Sequence, residues 1–238
     1  MSVFVIADLH LATANSQKSM EVFGNRWKNY IEKIRDNWYK IITDKDTVVI
    51  PGDISWGLAT EDALADLLWL DSLPGRKIIM KGNHDFWWST VSKMQSFFEK
   101  HNIRSIDILN NNAIEVENYI IAGSRGWFTD KTMQNTEGNV DYEKIINRET
   151  IRLKMSLDAA VKLRADSEKE ILVFLHFPPV WSDFVCEPIV QLLREYNISR
   201  CYFGHIHSNY AHPCSFEYQS IIFNIISADF LNFLPKIV

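Results

Sequence analysis

Five apolar runs in this chain stop in the same way, on aspartate or histidine, and this repetition limits the folds open to it. Run 2–7 ends in Asp8-Leu9-His10, and run 47–50 in Pro51-Gly52-Asp53. Run 77–80 passes through Lys81 to Gly82-Asn83-His84-Asp85. Run 171–175 ends in His176, and run 200–203 in Gly204-His205-Ile206-His207. Short β-branched runs without alternation read as strands buried on both faces. In an α/β sheet the loops at strand ends carry the chemistry, because a rigid scaffold holds them while they face solvent.

Between the strands the period changes. Apolar residues Val22, Phe23, Trp27, Tyr30, Ile31, Ile34, Trp38, Ile41 and Ile42 predict one long amphipathic helix over 21–42. Thr60-Glu61-Asp62 predicts the capped start of a second helix running through Leu64, Leu67, Leu68 and Leu70 to Pro74-Gly75. Strand, helix, strand, helix, strand is the pattern of right-handed parallel crossovers, which brings Asp8, Asp53 and Asn83-His84 to one carboxyl edge. Strand alternation would also put Asp8 and His10 on one side. After a helix over 89–101, the runs 106–109, 113–116 and 119–122 are separated by Asn-rich turns and predict antiparallel ribbons and the start of a second sheet. The polar stretch 128–139 reads as a mobile insertion, 141–163 and 187–196 as helices, and 220–226 as the last strand. With no repeat, linker or low-complexity stretch, residues 1–238 read as one domain.

Composition excludes several classes. The net charge of −5, with no Lys/Arg cluster, argues against a nucleic-acid binder. No apolar run approaches the ~20 residues of a membrane span. Residues 1–11 lack a basic n-region and carry Asp8 and His10, unlike a signal peptide. Cys186, Cys201 and Cys214 have no C-x-x-C spacing and an odd count, as expected of a reduced, cytoplasmic protein.

The strand-end set is Asp8, His10, Asp53, Asn83, His84, His176, His205 and His207. Mixed imidazole and carboxylate donors suit Mn, Fe, Co, Ni or Zn and fit poorly the all-oxygen cages of Ca or Mg. Eight positions exceed one tetrahedral ion; two ions sharing a carboxylate, ~3.5–4 Å apart, fit better.

Asp-x-His, Gly-Asp, Gly-Asn-His-Asp, a lone His after a strand and Gly-His-x-His, in that order over residues 8–207, resemble the calcineurin-like metallophosphoesterase superfamily, in particular its bacterial-type predicted phosphohydrolases. The resemblance implies a four-layer α-β-β-α sandwich of two packed mixed β-sheets flanked by helices. It implies that Asp8, His10 and His207 bind one divalent ion and Asn83, His176 and His205 another, with Asp53 bridging. It further implies attack on phosphorus by a metal-bridging water or hydroxide, with His84 assisting the phosphoryl oxygens or the leaving group and Asp85 orienting His84. The expected activity is hydrolysis of small phosphomonoesters or phosphodiesters, nucleotide-like ones included. The alternatives are a nuclease of the same superfamily and a catalytically silent binding scaffold. One departure stands out: many members follow Gly-Asp with an Asp-Arg pair whose arginine grips phosphate, whereas this chain has Gly52-Asp53-Ile54-Ser55-Trp56. Arg125, in Gly-Ser-Arg-Gly-Trp, is the candidate replacement. Trp56, Trp87, Trp88, Trp127 and Trp181 lie near these motifs, either as walls of the mouth or, the simpler reading, as packing under the loops.

Overall fold

The computed structural model describes residues 1–14, 18–127 and 141–238. Strands β1 (Val3–Val5), β2 (Thr47–Ile50), β3 (Arg76–Ile79) and β4 (Ile106–Ile108) run parallel, linked by α1 (Tyr30–Ile41), α2 (Leu64–Ser72) and α3 (Val91–Lys100). The second sheet begins with the antiparallel pair β5 (Ala113–Val116) and β6 (Tyr119–Ser124). It continues through α4 (Tyr142–Arg164), β7 (Glu170–Leu175), a small hairpin β8 (Val180–Trp181) and β9 (Phe184–Val185), α5 (Glu187–Glu195) and β10 (Arg200–Phe203). Then come β11 (Ser215–Tyr218), β12 (Ile221–Ile225) and β13 (Lys236–Ile237). The strand orders are β13-β1-β2-β3-β4 and β11-β12-β10-β7-β6-β5, with antiparallel strands only at the edges of parallel cores.

Alternation along the strands sorts side chains into three apolar layers. Val3, Val5, Val49, Ile78, Leu172, Phe174 and Tyr202 meet between the two sheets. Phe4, Ile6, Val48, Ile50 and Ile79 face the α1, α2 and α3 side with Ile34, Trp38, Leu67 and Met94. Ile171, Val173, Leu175 and Phe203 face α4 and α5 through Leu153, Leu157, Ile189 and Leu193. Each fully buried aliphatic or aromatic chain contributes about 1.5–3 kcal/mol of transfer free energy. This is the expected four-layer sandwich. The sheets are stitched at one end, where Ala7 pairs with Ser227 and its N–H donates to the Ile226 carbonyl at 2.7 Å.

Several local expectations change. The helix over 21–42 is broken into 3₁₀ turns Met20–Phe23 and Asn25–Trp27 before α1. Gly24 (φ 114°) and Asn29 (φ 53°) interrupt it, because neither conformation propagates a helix. Thr60 is not a helix cap: its hydroxyl donates to the Trp87 carbonyl while Asp62 accepts from the N–H of Ala59, and α2 starts at Leu64. The 106–109 run belongs to the first sheet, parallel to β3, because α3 supplies a crossover. The 220–226 strand is not the last; β13 returns to pair with β1. The expected insertion at 128–139 lies outside the described residues.

Candidate metal centre

The loops at the carboxyl ends of β1, β2, β3, β7 and β10 converge. Two groups of donors result, Asp8-His10-His207 and Asp53-His176-His205, each with its ligand atoms within 4.8 Å of one another. Asp53 lies between them: its Oδ2 is 3.7 Å from His10 Nε2 and 3.5 Å from His176 Nε2. Asn83 joins the second group, its Oδ1 lying 2.6 Å from His176 Nε2 and 2.9 Å from His205 Nδ1. Every residue expected to hold a metal is therefore in one cluster.

The convergence does not come from strand alternation, as the sequence implied. Asp8 (φ 58°), His10 (φ 44°), Asp53 (φ 51°) and His205 (φ 69°) all sit in the left-handed region, so the chain turns sharply as it leaves each strand. Such residues cost about 1 kcal/mol or more each, a strain that a surrounding network must hold. Part of that network is Asp85. Its Oδ2 accepts the N–H groups of Asp53 and Gly82 at 2.8 Å, and its Oδ1 accepts those of Ile54 (2.9 Å) and Ser55 (3.3 Å) and the Trp87 indole (2.9 Å). Asp85 thus fastens the Gly-Asp loop to the Gly-Asn-His-Asp loop. It does not orient the His84 ring, because both of its oxygens are engaged elsewhere. Glycine permits the close approach: a Cβ on Gly82 would lie 2.1 Å from Asp53 Oδ1.

The donor chemistry fits cations. Asp8 Oδ1 and both ring nitrogens of His10 are buried without hydrogen-bond partners among the described residues. The Pro51 carbonyl can only accept, so His176 Nδ1 carries a proton toward it at 3.1 Å. The lone pair on Nε2 then faces oxygens of Asn83 and Asp53, acceptor against acceptor, a conflict a cation resolves. The electrostatics agree. Burial pushes the Asp8 carboxyl up to about 8 and Asp53 up to about 6, and pushes His176 down to about 3. Burial also lowers His10 and His205 well below the usual imidazole range. Neutral imidazoles are ready ligands, and buried carboxylates that resist ionisation lack the positive charge bound ions provide. His207 differs: burial works to lower it, but its hydrogen bond to Asp229 and the charges of Asp8, Asp229 and Asp53 raise it to about 9.

Asp229 was not anticipated. Its Oδ1 accepts from His207 Nδ1 at 2.8 Å, leaving Nε2 to face the cluster, and its Oδ2 accepts from the Tyr210 hydroxyl at 2.9 Å. A carboxylate behind a ligating imidazole fixes tautomer and ring orientation. The signal was present, since Ser227-Ala228-Asp229 closes the apolar β12 run as the other motifs close theirs. The tryptophans divide. Trp87 and Trp181 are buried packing groups, whereas Trp56 is half-buried, stacks on His10 at 4.9 Å and lies 4.6 Å from the His84 ring. His84 itself is outside both donor groups, half-buried, with its backbone N–H donating to Asp53 Oδ1 at 2.8 Å. Arg125 is largely buried, its guanidinium 4.6 Å from the Trp127 ring centroid and its Nε without a hydrogen-bond partner among the described residues.

The family model for calcineurin-like phosphoesterases matches residues 1–209. The chain belongs to this family. A phosphopantetheinyl hydrolase (PptH) from Mycobacterium tuberculosis is similar in structure, with a TM-score of 0.57 and 12% identity over 100% of this phosphoesterase and 95% of that chain. A protein of unknown function, AQ665 from Aquifex aeolicus, is 16% identical over 99% of this chain and 95% of its own, with a TM-score of 0.46. No curated protein matches the phosphoesterase in sequence. Among its described residues no helix is long and apolar enough to cross a membrane.

Proposed function

We propose that this phosphoesterase hydrolyses small phosphomonoesters or phosphodiesters, nucleotide-like ones included, at a centre of two divalent ions drawn from Mn, Fe, Zn, Co and Ni. The observation that carries the reading is Asp53 Oδ2, within 3.7 Å of an imidazole from each donor group. Asp8, His10 and His207 would hold one ion, Asn83, His176 and His205 the other, and Asp53 both. When bound, such ions supply positive charge for phosphoryl oxygens and lower the pKa of nearby water.

The protein's own groups complete the site. Trp56 packs against both His10 and His84, so the His84 ring is held at the mouth and outside the ligand set. From there its imidazole gives a proton to the departing ester oxygen. Arg125, whose guanidinium lies on the Trp127 face, is the candidate to bind a substrate phosphate oxygen in place of the missing Asp-Arg pair. The free thiols Cys186, Cys201 and Cys214 support a reducing compartment, the cytoplasm.

The test is turnover of a chromogenic aryl phosphate by chelated protein reloaded with each divalent ion in turn, followed by a panel of alkyl and nucleotide esters. Metal-dependent release of the phenol is the expected result. No turnover with any ion on any ester overturns the reading, and cleavage of single-stranded DNA in preference to the small esters replaces it with a nuclease.

A further inference from the structure

A cavity of about 460 Å³ is walled by the ends of β3, β4 and β6, the start of α3, and α4. Among the described residues Lys81, Arg125, Arg148 and Arg152 line it with Glu149 as the one carboxylate, so four positive side chains face one negative there in a chain whose net charge is −5. Glu149 is fully buried; its Oε1 meets Arg152 at 2.7 Å and Arg148 at 3.5 Å, holding both guanidiniums at the rim, while its Oε2 has no hydrogen-bond partner among the described residues. Lys81 and Arg125 form no ion pair among the described residues. The first turn of α3, where the Thr90 hydroxyl caps the helix by accepting the Lys93 N–H, stands on the same wall.

This cavity is built onto the catalytic loops. Lys81 directly precedes Gly82-Asn83, and the Arg125 carbonyl accepts the N–H groups of His176 at 3.1 Å and Phe177 at 2.9 Å. These two backbone links tie the cavity to the loops that carry the candidate metal ligands, and the substrate proposed below must be long enough to span from one to the other. Guanidinium forks match phosphate oxygens, and half-buried Trp88 offers an apolar wall for the carbon skeleton between two such groups.

We propose that the cavity binds a second phosphate group of the same substrate, making the preferred ester a bisphosphorylated molecule. The proposal deepens the phosphoester reading and rests on it for the identity of the first site. Binding is tested on the chelated full-length protein, titrated calorimetrically with inorganic phosphate. Wild type should bind one phosphate in a salt-sensitive manner, and Arg148→Gln should weaken it about tenfold or more, because a charge-assisted contact is lost. Arg148 is half exposed on α4, and an unchanged thermal midpoint shows that the variant folds. No binding by wild type, or equal binding by the folded variant, overturns the cavity as an anion site. The reloaded enzyme is then given an alkyl bisphosphate and the monophosphate of the same length. Wild type should favour the bisphosphate in kcat/KM, and Arg148→Gln should cut that preference about tenfold with both metals retained. Phosphate binding without such a preference overturns the substrate assignment and makes the cavity a site for free phosphate. Absence of all ester turnover defeats the phosphoester reading alone, since the titration of the chelated protein decides the cavity independently.

Discussion

Replacing Asp85 by asparagine tests the idea that this residue fastens two catalytic loops together. Oδ1 receives three N–H donors and Oδ2 two, and none of these partners is an acceptor. An amide offers one accepting oxygen. Its better orientation keeps the oxygen at the Oδ1 position and turns the NH₂ toward the N–H groups of Asp53 and Gly82. Two charge-assisted hydrogen bonds are lost at about 1.5–3 kcal/mol each, so Asp85→Asn should destabilise the fold by at most roughly 3–6 kcal/mol, less what is regained by removing a buried charge from beside Asp53. That is a large share of the ~5–15 kcal/mol that holds a typical domain. Burial and the adjacent Asp53 charge push the Asp85 carboxyl up to about 7. The measurement therefore belongs at about pH 8, where the group is ionised. The assay is denaturant unfolding of chelated protein, read as a midpoint shift at unchanged slope. A loss below about 1 kcal/mol would refute the reasoning, because it would mean the five contacts contribute little net stability. An intact midpoint combined with slow turnover would restore Asp85 to the role of orienting His84.

Asp53→Asn should weaken both metal sites together, since one lost charge is felt by two cations; two ions retained at wild-type affinity in elemental analysis would remove Asp53 as the bridge. His84→Ala should keep both metals yet lose roughly 10²–10⁴-fold in turnover of esters with poor leaving groups, and much less on an aryl phosphate. Loss of metal in that variant would make His84 a ligand. Asp229→Asn should weaken the Asp8-His10-His207 site about 10–100-fold in competition with a chelator, because the His207 tautomer is no longer fixed; unchanged affinity would confine Asp229 to the loop. Glu170 is held below the usual carboxylate range first by its hydrogen bond to Arg200, 2.5 Å away across neighbouring strands β7 and β10. A depressed folded pKa means the contribution is present above pH 4.5 and lost as pH falls through the folded value, so Glu170→Gln should lower stability at neutral pH and leave a shallower acid transition.

The site was legible because its residue types are rare and their positions regular: each ligand follows an apolar run that could only be a buried strand. The sandwich followed from those strands together with the family resemblance. What escaped the sequence was local geometry set by single residues. Gly24 and Asn29 break an apolar period that is helical throughout, and period alone carries no φ angle. Asp62 looked like an early helical acid and instead folds a turn onto Ala59. Asp85 read as the partner of its neighbour His84, yet its donors come mainly from residues 53–55, about thirty positions away in the chain. The edge strands β11 and β13 are short and partly exposed, so they lack the apolar density that marked the inner strands.

The allocation of ligands between the sheets bears on how the protein is made. Asp8, His10, Asp53 and Asn83 come from the loops of the first sheet; His176, His205 and His207 come from those of the second. The Asp8 carboxylate, which accepts the His205 N–H, is 197 positions from it in sequence. During synthesis the parallel strands β1 to β4 of the first sheet emerge before β7 and β10, carrying Asp8, His10, Asp53 and Asn83 but no complete set of donors in either group. Neither donor group is complete until the second sheet has folded. On the proposed two-ion reading, loading would wait for β10 to dock between β7 and β12, and the ions would then act as rivets between segments made at different times.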